Sequence, residues 1–104
     1  MRGRRRLFLK SLVANFVMRK KIETTLARAR EIRPAVERLM TVAKRQNIAS
    51  LRLLRARLPK DAAEKLYYEI APKYKDRKGG YLRIIKQTSQ RMRDGSKMAT
   101  IEFV

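Results

Sequence analysis

The sequence predicts an α+β fold in two layers, with a small three-stranded sheet packed on helices. Apolar residues recur at helical spacing in four stretches, and three runs rich in β-branched or aromatic residues have the composition of strands. Prolines and glycines separate several of these segments. The predicted order is one helix, one strand, three helices and two strands, which suits helices covering one face of a sheet.

The first helix is predicted over residues 7–18, where apolar residues fall at i, i+3 and i+4 spacing: Phe8, Leu9, Leu12, Val13, Phe16 and Val17. A basic amphipathic helix can also lie on a membrane or bind calmodulin. The strand and cap signals that follow favour packing on a core instead. Residues 22–24 are largely β-branched and predict the first strand.

The second helix is predicted to begin after Thr25, whose hydroxyl suits an N-cap. Its apolar stripe consists of Leu26, Ala29, Ile32, Val36, Leu39, Met40 and Ala43. Pro34 interrupts it at a cost on the order of 3 kcal/mol, so the helix either kinks there or a new segment starts with Pro34 in its first turn. The stripe keeps its phase across Pro34, which favours one kinked helix ending near Arg45, with Gln46 and Asn47 as its exit.

Two shorter helices are predicted next. The third covers residues 49–58 and is ended by Pro59. Asp61 and Glu64 have the spacing of a capping box with Asp61 as N-cap, and they open a fourth helix that Pro72 stops. Its apolar side consists of Leu66, Tyr67 and Ile70.

The C-terminal part is predicted to be a basic loop and a hairpin. Residues 73–80 carry several cations and end in Gly79 and Gly80, which let the backbone come close to a group such as phosphate. Residues 81–87 and 98–104 predict two strands, joined by a long basic loop over residues 91–97 that contains Asp94 and Gly95.

The charge of the chain restricts its partners. Twenty-eight Lys and Arg residues against nine Asp and Glu give a formal net charge of +19 on 104 residues. Such a charge indicates a polyanionic partner, nucleic acid first of all. With 44% hydrophobic residues we expect a single folded domain over residues 7–104, preceded by a basic arm over residues 1–6 that is disordered when free. No apolar run is long enough to cross a bilayer, so we expect a cytosolic protein without a membrane partner.

Catalytic and metal sites find little support. Histidine and cysteine are both absent, which removes the commonest general bases, nucleophile pairs and zinc ligands. Asp61 and Glu64 have a capping explanation, and Glu31 and Glu37 lie among arginines as ordinary helix-face pairs. We therefore expect no enzyme activity, no metal and no cofactor.

The candidate nucleic-acid-binding residues lie in the arm, around the first helix and strand, on the second helix, and in the glycine loop and hairpin. For each group the alternative to phosphate binding is a solvated arm or helix face without a partner. Because few acidic residues balance these cations, phosphate binding is favoured. The candidates are Arg2, Arg4, Arg5, Arg6, Lys10, Arg19, Lys20, Lys21, Arg28, Arg30, Arg33, Arg38, Lys73, Lys75, Arg77, Lys78, Gly79, Gly80, Arg83, Lys86, Arg91, Arg93 and Lys97.

The aromatic residues divide into two groups. Four lie on predicted core faces, where packing is favoured over base stacking: Phe8, Phe16, Tyr67 and Phe103. Tyr74 and Tyr81 lie beside the basic loop and could stack on a base.

Four separated segments resemble the bacterial ribosomal protein L17 family of the large subunit. They are KIETTLARAREIRP at 21–34, EIAPKY at 69–74, DRKGGYLRIIK at 76–86 and MATIEFV at 98–104. The resemblance extends from about residue 7 to residue 104, and the segments occur in the order of the family. It implies the same two-layer fold with Pro34 inside one long helix.

The resemblance also implies a structural, non-catalytic protein that binds large-subunit (23S-type) rRNA on the solvent side, near the polypeptide exit tunnel. It implies contacts with neighbouring large-subunit proteins rather than a free homo-oligomer. Family members begin with a longer basic extension that contains a histidine, so its RNA contacts carry over only to the arginines of the arm. A cytosolic ribosome is expected, and an organellar one stays open.

Two other classes of function remain as alternatives. A nucleoid-type architectural DNA-binding protein would share the charge, but the sequence has no evident recognition helix or dimer seam. An RNA-processing enzyme that uses carboxylates and magnesium comes third.

Overall fold

The predicted order of elements is confirmed. The computed structural model describes the backbone of residues 2–91 and 97–104 and the side chains of residues 8–87 and 97–104. The elements are α1 (Arg2–Arg19), β1 (Lys21–Thr25), α2 (Leu26–Ala43), α3 (Ile48–Arg57), α4 (Lys60–Glu64) with a π-helical segment (Lys65–Ile70) and a 3₁₀ turn (Ala71–Tyr74) after it, β2 (Leu82–Arg91) and β3 (Lys97–Phe103). No helix in these ranges is both long and apolar enough to cross a membrane.

The three strands form one antiparallel sheet in the order β1-β3-β2. Ile101 of β3 lies opposite Ile22 on one side and Ile84 on the other, and this row packs into the core. The adjacent row, formed by Lys21, Glu102 and Arg83, lies on the other face, because successive residues of a strand point to opposite faces. The sheet is therefore covered by helices on one face only.

The long helix α2 is the centre of the core. Its predicted stripe is buried from Ala29 to Ala43, with Leu26 half-buried at the start. Thr25 is the N-cap, as predicted, and its hydroxyl oxygen accepts the N–H of Arg28 at 3.3 Å. The helix continues through Pro34, which lies on its exposed side, so a single helix rather than two segments is confirmed.

The end of α2 and the start of α3 lie within about two residues of the prediction, but Asn47 has a further role. The helix ends at Ala43, and Gln46 adopts a left-handed φ of 52° that prevents continuation. Asn47 begins α3 rather than only ending α2, because its side chain accepts the Ser50 N–H at 2.7 Å and its own N–H donates to the Ser50 hydroxyl at 3.2 Å. The sequence does not reveal this capping box, because the third residue of the helix is Ser50 instead of the usual Glu or Gln.

The capping box predicted for Asp61 and Glu64 is wrong. The helix α4 begins at Lys60 after Pro59, without a side-chain cap. Asp61 lies in the first turn, where a negative charge suits the helix dipole, and the Glu64 carboxylate pairs with Arg55 at 2.7 Å. The predicted apolar residues of this region, Leu66, Tyr67 and Ile70, are buried in the π-helical segment.

The first helix starts earlier than predicted, at Arg2 instead of residue 7. Extending an existing helix adds one hydrogen bond for each residue ordered, and arginine is a good helix former. The helix ends where Lys20 adopts a left-handed φ of 67°, and the Lys20 carbonyl accepts the N–H of Phe103 at 3.3 Å. This bond joins the end of α1 to the sheet.

The aromatic residues expected in the core are buried or packed against it, with one exception. Phe16 is fully buried and stacks on Phe103 with 4.9 Å between ring centroids. Tyr67 is buried as well. Phe8 is 39% exposed, so its predicted core position is wrong. It lies toward the N-terminal end of α1, where its ring meets the guanidinium of Arg28 at 4.2 Å from the ring centroid.

Replacing Phe16 by alanine is expected to lower the free energy of unfolding by about 3 to 5 kcal/mol, because it leaves a cavity between α1 and the sheet. Phe8→Ala is the matched control and should cost less than about 1 kcal/mol, since it removes only an exposed ring and its cation–π contact. Urea unfolding followed by circular dichroism measures both. Equal losses for the two variants would contradict the position of Phe16 in the core.

Candidate nucleic-acid interface

The exposed side of α2 carries three of the predicted binding arginines. Arg30, Arg33 and Arg38 are all exposed, because they lie off the buried stripe of the same helix. Glu37 lies between them, but it is not an ordinary helix-face partner as predicted. Its carboxylate accepts the backbone N–H of Leu82 at 3.2 Å and so joins α2 to β2.

The glycine loop, residues 75–80, is attached to the end of α2 by Lys44 and Tyr81. The Lys44 ammonium donates to the Arg77 carbonyl and to the Tyr81 hydroxyl, the latter at 3.0 Å. The Tyr81 hydroxyl donates to the same Arg77 carbonyl at 3.0 Å. Tyr81 is only 3% exposed, so its predicted role as a stacking platform for a base is wrong. Its ring and hydroxyl position the loop instead.

The two ends of the glycine loop are also held together by Val104. The Val104 carbonyl accepts the Tyr74 hydroxyl at 2.6 Å, and the Val104 N–H donates to the Tyr81 carbonyl at 2.9 Å. The half-buried ring of Tyr74 lies edge-on to that of Tyr81, with 5.9 Å between centroids. These contacts fix the loop backbone while the side chains of Lys75, Arg77 and Lys78 remain exposed.

The glycine loop and α2 meet at a concavity of about 470 Å³ that is lined by Arg33, Pro34, Glu37, Arg38 and Gly80. A Cβ atom added to Gly79 or Gly80 would meet nothing within 4 Å, so the outer side of this backbone is open. Gly80 has a φ of 62°, which only glycine adopts without strain. We call the exposed residues on both sides of this junction the loop–helix surface: Arg30, Arg33, Arg38, Lys75, Arg77, Lys78, Gly79 and Gly80.

Three other predicted binding residues have carboxylate partners within the molecule. Lys20 pairs with Glu69 at 2.8 Å, while Lys21 and Arg83 share Glu102 at 3.6 and 2.5 Å. The last two pairs cross the open face of the sheet between neighbouring strands. These cations therefore compensate acidic groups and add less to a phosphate-binding surface than the arginines of α2.

The same ion pairs change the acidity of two carboxyl groups. The hydrogen bond from Arg83, helped by the charges of Arg83 and Lys21, holds the pKa of Glu102 below its ordinary value, although desolvation opposes the shift. The hydrogen bond from Lys20 lowers the pKa of Glu69 in the same way, again against desolvation. Both carboxylates are therefore favoured in the ionised form.

The remaining predicted residues are dispersed. Exposed side chains are found at Lys10, Arg19, Arg28, Lys73, Lys86 and Lys97. The backbone of Arg2, Arg4, Arg5, Arg6 and Arg91 is described but their side chains are not, and Arg93 lies outside the described residues. The structure thus brings Arg33 and Arg38 of α2 together with Gly80 of the cationic glycine loop. Among the described side chains, Lys10, Arg19, Arg28, Lys73, Lys86 and Lys97 do not line this concavity.

Sequence reasoning missed the supporting residues Lys44 and Tyr81. In the sequence Lys44 is one more cation at the end of α2, and it is 33 residues away from Arg77 in the chain. No local pattern indicates a contact of that separation. Sequence reasoning also missed Arg57, which lines a groove with Lys10 and Arg38. Within the described ranges, no group of three or more acidic side chains is placed to hold a metal ion.

Comparison with known proteins agrees with the resemblance seen in the sequence. The family model described as "Ribosomal protein L17" matches residues 8–104. The chain belongs to the ribosomal protein L17 family. Its membership makes it a structural protein of the large ribosomal subunit rather than an enzyme, and it implies association with the ribosome.

Individual relatives cover most of the chain. It is 52% identical to a large ribosomal subunit protein bL17 of Persephonella marina over 81% of this chain and 69% of the relative. It is 46% identical to a bL17 protein of a Sulfurihydrogenibium species over 97% of this chain and 84% of the relative. A bL17 protein of Fusobacterium nucleatum is 44% identical over 96% of this chain and 86% of the relative.

Replacing Tyr81 by phenylalanine is expected to loosen the glycine loop, because the Arg77 carbonyl and Lys44 each lose one hydrogen-bond partner. The unfolding free energy should fall by about 1 kcal/mol, and amide hydrogen exchange over residues 77–80 should accelerate. Tyr68→Phe, at a tyrosine that is 63% exposed, is the control and should change neither quantity. Unchanged exchange in Tyr81→Phe would show that this hydroxyl does not hold the loop.

The stability of the fold should decrease as the pH falls below the ordinary glutamate value of 4.5. A carboxyl whose pKa is lowered in the folded state binds its proton more readily in the unfolded chain. Its ion pair therefore stabilises the fold above the ordinary glutamate pKa, and this stabilisation is lost as the pH falls through the pKa of the folded state. The double variant Glu69→Gln with Glu102→Gln should be less stable at pH 7 and should show a smaller decline in acid. Thermal unfolding from pH 7 to pH 3 measures this, and parallel curves for the two proteins would contradict it.

Proposed function

We propose that the chain binds large-subunit rRNA through the loop–helix surface and clamps separate RNA segments by neutralising their phosphates. The observation that carries this proposal is the meeting of the α2 arginines with the cationic, backbone-exposed glycine loop at Gly80. Glu37 is the carboxylate at the junction, and it is bonded to the Leu82 N–H. The exposed Asp76 is the acidic residue of the loop itself.

The chemistry of this surface suits RNA backbone rather than base edges. Guanidinium groups bind phosphate oxygens in a bidentate manner, and an exposed glycine backbone can approach a phosphate closely. Double-stranded RNA is recognised mainly by shape and by contacts to phosphates and 2′-hydroxyls. Since Lys44 and Tyr81 hold the loop against α2, its cations keep a fixed relation to the arginines, and one rigid surface contacts several phosphates.

We further infer that the protein lies on the solvent side of the large subunit near the polypeptide exit tunnel, beside neighbouring ribosomal proteins, as the family resemblance implies. Its place of action is then the cytoplasm of a bacterium, with an organellar ribosome as the alternative. Membership of the L17 family supports this function over the nucleoid DNA-binding alternative.

Sedimentation of a cell lysate in physiological salt tests the proposed function. We expect the protein to migrate with the large subunit in stoichiometric amounts and to leave these fractions after ribonuclease treatment. Binding of the purified protein to deproteinised large-subunit RNA should weaken steeply as salt increases, because each neutralised phosphate releases counterions. Migration with DNA, or RNA binding that does not respond to salt, would overturn the proposal.

The double variant Arg33→Gln with Arg38→Gln is expected to bind large-subunit RNA about tenfold or more weakly at low salt. The plot of log affinity against log salt concentration has a negative slope. This slope should become less steep by about 0.7 to 0.9 for each phosphate that the variant no longer neutralises. Arg55→Gln is the control, because Arg55 is an exposed arginine on α3 that already pairs with Glu64. Filter binding at several salt concentrations measures both quantities, and equal effects of the variant and its control would argue against the loop–helix surface.

Gly79→Ala separates binding from folding. A methyl group at residue 79 meets no other part of the protein within 4 Å, and the backbone of Gly79 is not in the left-handed region. Thermal stability should therefore stay unchanged. If RNA approaches this backbone, affinity should fall about tenfold, as expected when a hydrogen bond to a charged group is displaced. Gly80→Ala should instead destabilise the fold by about 1 kcal/mol because of its φ. Wild-type affinity in Gly79→Ala would contradict close approach at this glycine.

A further inference from the structure

A second concave site lies between α1, α2 and α3, and it shares only Arg38 with the loop–helix surface. This groove has a volume of about 970 Å³, within the usual range of roughly 300–1,000 Å³ for small-molecule sites. Its floor is apolar and is formed by Leu9, Val13, Leu39 and Leu58, three of them buried and Leu9 half-buried.

Two alanines give the groove its width. Ala35 of α2 and Ala56 of α3 both line it, and neither side chain is buried. A longer apolar side chain at either position would occupy the groove. The space therefore depends on small residues at two positions where leucine would suit the helix nearly as well.

The rim of the groove is cationic. Lys10, Arg38 and Arg57 line it from three different helices, and all three are exposed. None of the described residues that line the groove is acidic. An occupant that matches both parts combines an apolar body with negative charge at its edges.

We propose that the groove holds an unpaired nucleotide of the rRNA, with the base on the apolar floor and the adjacent phosphates on Lys10, Arg38 and Arg57. This inference rests on the proposed function and identifies a second contact of the same RNA. Arg38 lines both the groove and the concavity at Gly80, so one RNA strand passes from the phosphates of the loop–helix surface into the groove. Arginine planes and apolar side chains are both used to hold bases that have left a helix.

The groove suits a nucleotide better than a protein segment. The three cations are donors and its other lining side chains carry no hydrogen-bonding group, so the N–H groups of an extended peptide backbone would find no side-chain acceptor there. The same property predicts little preference among the four bases, because the floor offers nothing that reads a Watson–Crick edge. The groove recognises that a nucleotide is unpaired, not which nucleotide it is.

Groove-filling variants test this inference without changing the charge. Ala35→Leu and Ala56→Leu fill the groove, while Ala27→Leu and Ala49→Leu are matched controls at exposed alanines of the same two helices that do not line it. Each protein is titrated with an RNA hairpin that carries a single-nucleotide bulge and with the same hairpin without the bulge. Circular dichroism and thermal unfolding establish that every variant is folded.

We expect the unmodified chain and both controls to bind the bulged hairpin about tenfold more tightly than the perfect one, as burial of a base against an apolar floor allows. The groove-filling variants should lose this preference while keeping the affinity for the perfect hairpin and the salt dependence. A preference that survives groove filling, or is absent from the unmodified chain, overturns the inference and leaves the phosphate-binding surface standing. Failure of both hairpins to bind at any salt concentration would instead overturn the proposed function.

Photo-crosslinking in the assembled subunit identifies the occupant directly. A benzophenone amino acid at position 10, on the rim, reaches the occupant without filling the floor of the groove, and position 27 serves as the control. A crosslink from position 10 to one unpaired rRNA nucleotide supports the proposal. A crosslink to a ribosomal protein would show that the groove holds a protein segment and would overturn it.

Discussion

The rest of the structure depends on the burial of one apolar stripe of α2 against the inner face of the sheet. A formal charge of +19 on 104 residues works against any compact state, so hydrophobic burial must offset self-repulsion as well as chain entropy. Ile32, Val36 and Met40 are fully buried, and Ile22 and Ile101 meet the helices from the opposite layer. With the stripe turned inward, helical geometry places Arg30, Arg33 and Arg38 on the outside. The same periodicity that builds the core therefore also presents the charges.

Tertiary contacts turn a basic loop into a shaped surface. Lys44 is less available as a binding cation, since its ammonium is bonded to the Arg77 carbonyl and the Tyr81 hydroxyl. Tyr81 is buried at the same junction, and Val104 joins both ends of the loop. A backbone fixed in advance lowers the entropy cost of the RNA binding proposed for the loop, so more of the electrostatic attraction would remain as affinity.

The cations of this molecule differ in how freely they can act on a polyanion. Lys20, Lys21 and Arg83 are bonded to Glu69 and Glu102, and they stabilise the attachment of α1 and the open face of the sheet. The arginines of α2 and the cations of the glycine loop have much less internal compensation. The formal net charge counts both classes of cation equally. Only the cations with little internal compensation keep most of their positive potential available to a partner. The few carboxylates of the chain thus decide which of the described cations are compensated within the molecule.

The sequence by itself determined the element order, the stripe of α2, the Thr25 cap, the three strands and the family, because each depends on local periodicity, turn chemistry or a contiguous motif. It could not determine the strand order β1-β3-β2, the junction of the glycine loop with α2, or the groove between three helices. Those features join residues far apart in the chain, such as Lys44 with Arg77 and Lys10 with Arg57. It also misplaced Phe8 and Tyr81, since an apolar or aromatic residue near a helix or strand end is buried only if another element covers it. That coverage is a property of the tertiary structure alone.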